Sequence, residues 1–206
     1  AAASSATGLP SVSRETVENL LTYQALIEKW NPAINLVARS TIGALWDRHF
    51  TDSAQVYRLA PAGAARWADL GSGGGFPGLI VAILAAGEGR ELDMTLVESD
   101  QRKAVFLQTV ARETGIRVTV RADRAESLPP MNVDVLSARA LAPLEKLLTF
   151  AERHLAPVGC ALFPKGATHE AELRDALEAA KFSYETTTSA TSSDAVVYKI
   201  WGISRA

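Results

Sequence analysis

The sequence predicts an α/β fold. It has a mainly parallel seven-stranded sheet of Rossmann-like type, a closing antiparallel hairpin at the C-terminus and a helical cap at the N-terminus. Three observations predict it. From Trp67 onward, strand-like and helix-like runs alternate, which implies parallel strands with helices on both faces. The first strand runs into Asp69-Leu70-Gly71-Ser72-Gly73-Gly74-Gly75-Phe76-Pro77-Gly78 and then into the apolar run Leu79–Leu84. The last two strand-like runs have no helix between them.

Taken in order, Ser13 is an N-cap with Glu15 in the first turn. Val17, Leu20, Leu21, Ile27 and Trp30 follow at helical spacing, and Asn31-Pro32 is expected to end that helix. A second helix is expected over Thr41–Leu59, with Ile42, Leu45, Trp46 and Phe50 as its apolar stripe. Pro61–Ala65 connects this cap to the sheet. Strands are expected at Trp67–Leu70, Met94–Val97, Val118–Val120, Val133–Leu136 and Ala161–Phe163. Helices are expected at Gly78–Ala86, Gln101–Thr114, Pro143–His154 and His169–Ala180. Phe182–Thr187 and Ala195–Trp201 form the edge hairpin. The organisation expected is one domain over 1–206, with the cap at 13–60 and the sheet core at 66–206.

Composition narrows the function. The chain has 206 residues, 48% of them hydrophobic, enough for one sizeable core. No apolar run reaches the ~18 residues needed to cross a bilayer. Ala1–Pro10 is small and polar, lacks a signal-peptide pattern and is expected to fray. Cys160 is the single cysteine, so no intramolecular disulfide can form, which fits a reducing cytoplasm. His49, His154 and His169 lack metal-ligand spacing, and no metal is expected. The net charge of −2 argues against a chain-wide grip on nucleic acid and leaves a local basic patch open.

Five of the eight residues Gly71–Gly78 are glycine. Glycines allow positive φ and close approach of a ligand, and the helix start beyond offers free N–H groups. Pro77 suits the first turn, and Gly78 lets the helix pack close to the sheet. Two cofactors fit. Gly73-x-Gly75-x-x-Gly78 resembles a dinucleotide loop, and Asp69-x-Gly71-x-Gly73-x-Gly75 resembles the loop of S-adenosylmethionine (SAM) methyltransferases. Asp69 favours the second, because a carboxylate suits an ammonium group and repels a pyrophosphate. It could equally cap the loop's own amides. The terminal hairpin also favours SAM.

Glu98 ends the second strand, where an acid can accept both ribose hydroxyls of either cofactor or simply be solvated. Ala125 and Glu126 follow the third strand, where adenine would lie, though they also read as an ordinary helix start. Arg139 and Lys165 end the fourth and fifth strands and suit a carboxylate, or are surface charges. Two devices are absent. Ser137-Ala138-Arg139-Ala140 replaces the Asn/Asp-Pro-Pro-Tyr/Phe turn of amino-group methyltransferases, and Cys160 reads as core, not as a nucleophile. A ring nitrogen such as guanine N7 needs neither, since it has no proton to lose.

The motif set resembles the RsmG (GidB) family of 16S rRNA guanine-N7 methyltransferases over about Trp30 to Lys165. It is carried by Trp30-Asn31 with Asn35-Leu36, Arg48-His49 with Asp52-Ser53, the Asp69–Gly78 loop and Leu96-Val97-Glu98-Ser99. Lys103 with Phe106-Leu107, Arg124-Ala125-Glu126, Ser137-Ala138-Arg139-Ala140 and Lys165-Gly166 complete it. The resemblance implies a class I SAM-dependent methyltransferase acting on N7 of guanine 527, in the 530 loop of 16S rRNA. The protein would be cytoplasmic, bacterial, monomeric and without a metal or a membrane partner.

By the same resemblance the cofactor contacts are Gly71, Phe76, Ala125, Glu126 and Arg139, with Glu98 on the ribose. Asp69, Gly73 and Gly75 join the cofactor-binding set. His49, Arg139 and Lys165 are the candidates near the chemistry, and His49, Asp52 and Lys165 match motif positions that a structural role would also explain. The family's NLT reads Asn35-Leu36-Val37 here, Phe50-Thr51 separates His49 from Asp52, and the last forty residues carry little signature. Basic residues should cluster around the cofactor mouth, and the expected partner is 16S rRNA or the small ribosomal subunit, the negative charge making an assembled particle one of the two readings. Alternatives are a SAM methyltransferase with a small-molecule or protein acceptor and an NAD-binding oxidoreductase.

Overall fold

The computed structural model describes residues 12–205, and the expectation for Ala1–Pro10 lies outside them. Helix α1 (Arg14–Ile34) starts at Ser13, whose hydroxyl accepts from the Thr16 amide at 3.1 Å. It continues past the break expected at Asn31-Pro32. Proline there forfeits one helix bond near the end of the helix, and buried Asn31 holds the last turn instead. The Asn31 carbonyl accepts from the Asn35 amide at 3.1 Å, and Asn31 Oδ1 accepts from the Val37 amide at 2.8 Å.

The second expected helix is in fact three pieces: a 3₁₀ turn at Arg39–Ala44, a π turn at Trp46–Phe50 and helix α2 (Thr51–Leu59). A π turn is wider than an α turn and shifts side-chain directions. Here the neighbouring rings of His49 and Phe50 both reach Phe76, at centroid distances of 5.0 and 5.8 Å. Periodicity alone could not show this, because the packing partner lies on the glycine loop.

The sheet comprises β1 (Arg66–Leu70), β2 (Asp93–Val97), β3 (Thr119–Arg121), β4 (Val133–Ala138), β5 (Leu155–Lys165), β6 (Ala180–Thr188) and β7 (Val196–Arg205). Helices α3 (Gly78–Gly87), α4 (Gln101–Thr114), α5 (Leu144–His154) and α6 (His169–Ala179) intervene. The strand order is β3-β2-β1-β4-β5-β7-β6. β1 to β5 are parallel, and β7 runs antiparallel to both β5 and β6. β5 is much longer than the expected Ala161–Phe163. It begins directly after α5, and its register against β4 shifts between Val133 and Val135. Pro157 and Gly159 disguised that extension in the sequence, since such residues in strands mark irregular pairing.

One face of the sheet packs under the cap, α3 and α4 through Trp67, Tyr23, Phe50, Phe76 and Phe106. The other packs under α5 and α6 through Leu144, Leu147, Phe150 and Phe163. Leu70 pairs with Val97 on one side and Ala138 on the other, so β1, β2 and β4 end level. The chain turns away in opposite directions on the two sides of β1, which opens a crevice at the carboxyl ends of the strands.

α3 sits hard against that edge, as expected of Gly78. A Cβ on Gly78 would lie 2.8 Å from both Cβ and Oδ2 of Asp69 and would also collide with Leu96. Gly78→Ala should therefore lower stability by about 1–3 kcal/mol, read as an earlier urea midpoint at unchanged slope.

Candidate active site

The site is built from the turn after β1. Gly71, Gly73 and Gly75 have φ of 63°, 56° and 98°, a region that disfavours side chains. The glycines serve two masters. Gly74 and Gly75 are pressed by the cap: a Cβ on Gly74 would stand 3.0 Å from the Leu36 carbonyl oxygen, and one on Gly75 would strike the Tyr23 hydroxyl. Around Gly73 the nearest atom to such a Cβ is 3.7 Å away, leaving its surface open. Gly71 is covered by Leu141, whose Cδ1 would be 2.6 Å from an added Cβ.

Asp69 is fully buried. Its Oδ1 accepts from the Ser137 hydroxyl at 2.6 Å, and its Oδ2 accepts from the Gly78 amide at 3.2 Å. Ser137 in turn accepts from Trp67 Nε1 at 2.9 Å. Of the two readings left open by the sequence, the geometry matches the cap of backbone amides. Burial raises the Asp69 pKa to about 6, against the opposing pull of Ser137, Ser72, Gly78 and Arg139.

Glu98 accepts from the Gly73 amide at 2.8 Å through Oε2 and from the Asp100 amide at 2.8 Å through Oε1. Each oxygen retains a second lone pair, so the carboxylate can hold the loop and still accept two hydroxyls. A cavity of 150 Å³ opens beside it, lined by Gly71, Val97, Ala125, Glu126, Leu141 and Phe150 among others. Buried His154 supports its floor, with Nε2 3.1 Å from the Ala125 carbonyl. The lining is mixed, with apolar Val97, Leu141 and Phe150 set among Ser99, Asp123, Arg124, Glu126 and Lys146, next to the Glu98 acceptor and the open Gly73.

Phe76 is the hub of the cap side. Its ring lies 5.5 Å from that of Tyr23 and 5.0 Å from that of His49. The Arg139 guanidinium sits over it at 4.9 Å. Tyr23 also donates its hydroxyl to the Gly74 carbonyl. Tyr23 and Leu141 were not singled out from the sequence, and Ser137 and His154 were named there without these roles. The roles arise from contacts between residues far apart in the chain, which no local pattern marks.

His49 Nε2 lies 2.9 Å from the Thr41 hydroxyl. Burial, then the charges of Arg139 and Arg48, lower its pKa to about 4, so the ring is neutral near pH 7. Arg139 has no ion pair among the described residues. Lys165 differs from the expectation of a free cation. It is bound to Glu172 at 2.6 Å and donates to the Ala142 carbonyl at 3.0 Å. Glu172 also accepts from the Leu144 amide at 2.9 Å. This pair therefore ties the β4–α5 loop to α6.

Of the cations near the mouth, Arg139 and Lys146 line cavities at the strand ends and lie over the rings of Phe76 and Phe150, and three others are paired. Arg102 meets Asp100 at 3.2 Å, Arg121 meets Asp123 at 3.5 Å, and Arg124 meets Glu126 at 3.9 Å. Among the described residues, no group of three or more His, Cys, Asp or Glu could hold a metal ion. No helix among them is long and apolar enough to cross a membrane.

Comparison with known proteins places this geometry. The family model GidB, rRNA small subunit methyltransferase G, matches residues 16–199. The chain belongs to the GidB family. It is 55% identical to ribosomal RNA small subunit methyltransferase G of Ruegeria pomeroyi, covering 95% of each chain. The same protein of Ruegeria sp. TM1040 is 54% identical over 94% of each. Solved structures share the fold at low identity. A ribosomal protein L11 methylase of Lactobacillus delbrueckii subsp. bulgaricus has a TM-score of 0.58 at 17% identity, covering 74% of this chain and 76% of that one. A TehB-like SAM-dependent methyltransferase of Corynebacterium glutamicum has 0.58 at 16%, covering 88% and 98%. The fold is thus the class I SAM-dependent methyltransferase fold expected from the sequence, and the GidB family signature extends into the hairpin.

The buried titratable groups of this GidB chain have opposite pH signatures. The Asp69 pKa rises on folding, so its contribution to stability is greatest below the unfolded value of 3.8 and is lost as pH rises through about 6. The His49 pKa falls on folding, so its contribution is present above 6.5 and is lost as pH drops towards 4. His49→Gln should therefore gain stability relative to the parent chain as pH falls from 7 to 4.5. Paired urea melts at the two pH values measure the change.

Proposed function

We propose that the chain transfers the methyl group of S-adenosyl-L-methionine to N7 of guanine 527, in the 530 loop of 16S rRNA. Membership of the GidB family carries this reading. The reaction is SAM-dependent methylation of small-subunit rRNA, and the base and atom are the finer part of the proposal. We place the activity in one methyltransferase domain, capped by 13–60, in the cytoplasm and in a monomer.

When bound, the cofactor supplies a methyl group on a positively charged sulfonium. The chain's own residues hold and orient it. We assign the ribose hydroxyls to the spare lone pairs of Glu98 and the adenine to the slot beside Ala125 and Glu126. Gly71 and Gly73 let the backbone approach, and Arg139 takes the cofactor carboxylate. A guanidinium is suited to that partner because it forms two parallel hydrogen bonds to it. Asp69, Gly75 and Phe76 act one step back: Asp69 fixes the turn, and Phe76 is the platform under Arg139. Lys165, already paired with Glu172, sets the β4–α5 loop rather than touching the cofactor.

Methylation at N7 consumes the ring lone pair and removes no proton. The site therefore needs alignment and exclusion of water more than a base. A His49 ring that is neutral but buried against Phe76 fits a packing role in such a site. The net charge of −2 supports a small-subunit particle as the substrate, where ribosomal shape and proteins share the docking.

Two outcomes check the reading. Incubation with methyl-labelled SAM, followed by reduction and aniline cleavage, should give one break in the 530 loop, with faster labelling of small-subunit particles than of naked 16S rRNA. Label without an N7 break would move the acceptor elsewhere. Arg139→Ala should weaken SAM binding or turnover more than tenfold, measured by titration calorimetry and initial rates.

A further inference from the structure

A second cavity lies beside the adenosine slot, and the β4–α5 loop separates them. Arg139 and Ala140 line this second cavity, whereas Leu141 and Ala142 line the first. Its volume is 320 Å³, in the range of small-ligand sites (about 300–1,000 Å³). Pro164, Val196 and Val197 give it apolar walls, and Asp52 enters it from α2. That combination suits a flat purine with a polar edge.

Asp52 is only half used by the fold. Its Oδ1 accepts from the Ser189 hydroxyl at 2.8 Å and the Thr191 hydroxyl at 2.6 Å, which seats the β6–β7 loop. Gln55 completes that seat, donating to the Thr188 carbonyl at 2.7 Å and accepting from the Ala190 amide at 2.9 Å. Oδ2 makes none of these bonds. Asp52 acts electrostatically on Arg139 without forming an ion pair with it. The loop seat thus occupies one carboxylate oxygen and leaves the other for a ligand.

We propose that Asp52 reads the N1–H and 2-amino edge of the acceptor guanine. This rests on the guanine-N7 reading above. The free Oδ2 has two lone pairs, one for each donor of that edge, and a carboxylate only accepts. Adenine presents an acceptor at N1 and is repelled by the same oxygen. N7 lies on the far side of the purine from this edge, so a base gripped by Asp52 turns N7 away from α2.

The chemistry adds a second consequence. The N7 lone pair forms the bond to the methyl carbon, and sulfur keeps the electron pair of the broken S–C bond. No proton leaves, and the purine becomes a cation whose N1–H is more acidic. The carboxylate at that edge is held more strongly in the transition state than in the ground state, so its effect belongs in kcat.

The test uses the full chain and small-subunit particles reconstituted with 16S rRNA carrying guanosine or inosine at position 527. Inosine keeps N1–H, O6 and N7 and lacks only the 2-amino group. The parent chain should prefer guanosine at least tenfold in kcat/KM. Asp52→Asn should lower kcat on guanosine tenfold or more and shrink the preference towards one. Ser189→Ala with Thr191→Ala loosens the loop but keeps the carboxylate, and should keep the preference. If Asp52→Asn no longer binds SAM, Asp52→Ser takes its place.

A parent preference within twofold of one overturns the proposal whatever the variants do. So does an Asp52 variant with the parent's preference, or a Ser189/Thr191 double variant that loses it. Failure of the N7 reading looks different, because neither particle then yields an N7-methylated base.

Discussion

The buried carboxylate of Asp69 is the contact on which the rest of the site depends. It joins β1, β4 and the start of α3 through Ser137 and the Gly78 amide. A charge out of water is tolerated only where it is hydrogen-bonded, and here its partners come from two other elements, β4 and α3. That requirement fixes how tightly the chain must turn after β1. It brings α3 against the sheet, which only a glycine at 78 permits. It also sets the course of the glycine loop, and with it the Gly73 amide that Glu98 accepts from.

The cap is held to the loop by a second set of forces. Tyr23, Phe50 and His49 pack around Phe76, and Tyr23 bonds to the Gly74 carbonyl. The glycine loop is thus squeezed between the cap on one side and open space on the other. This explains a glycine count beyond what a ligand alone requires. Gly74 and Gly75 make room for the cap, and Gly73 is left open. Arg139 lies over Phe76 at the boundary, in no ion pair among the described residues. Cap packing and the position of that guanidinium are therefore mechanically linked.

Some of the rim cations are paired with acids, and Arg139 and Lys146 instead lie over aromatic rings. An RNA enzyme of net charge −2 gains little from long-range attraction to phosphate. Recognition must then rest on shape and on short-range contacts. The Lys165–Glu172 pair belongs to this economy of position: it anchors the wall between the two cavities through the Ala142 carbonyl.

The fold class, the glycine turn, the strand-end acids and the hairpin are legible in the residue order. These are local: each depends on a period, a spacing or a residue whose backbone freedom is needed where it stands. Family motifs carried the cofactor chemistry for the same reason, since they are short and contiguous. Contacts between distant residues settle that Asp69 faces the protein interior, that Lys165 is neutralised by Glu172, and that the second cap helix breaks into a π turn. It alone brought Asp52 to the hairpin loop, 137 positions away. Such outcomes depend on which distant groups meet, and the energy of a buried charge or a stacked ring is set by the partner, not by the neighbour in the chain.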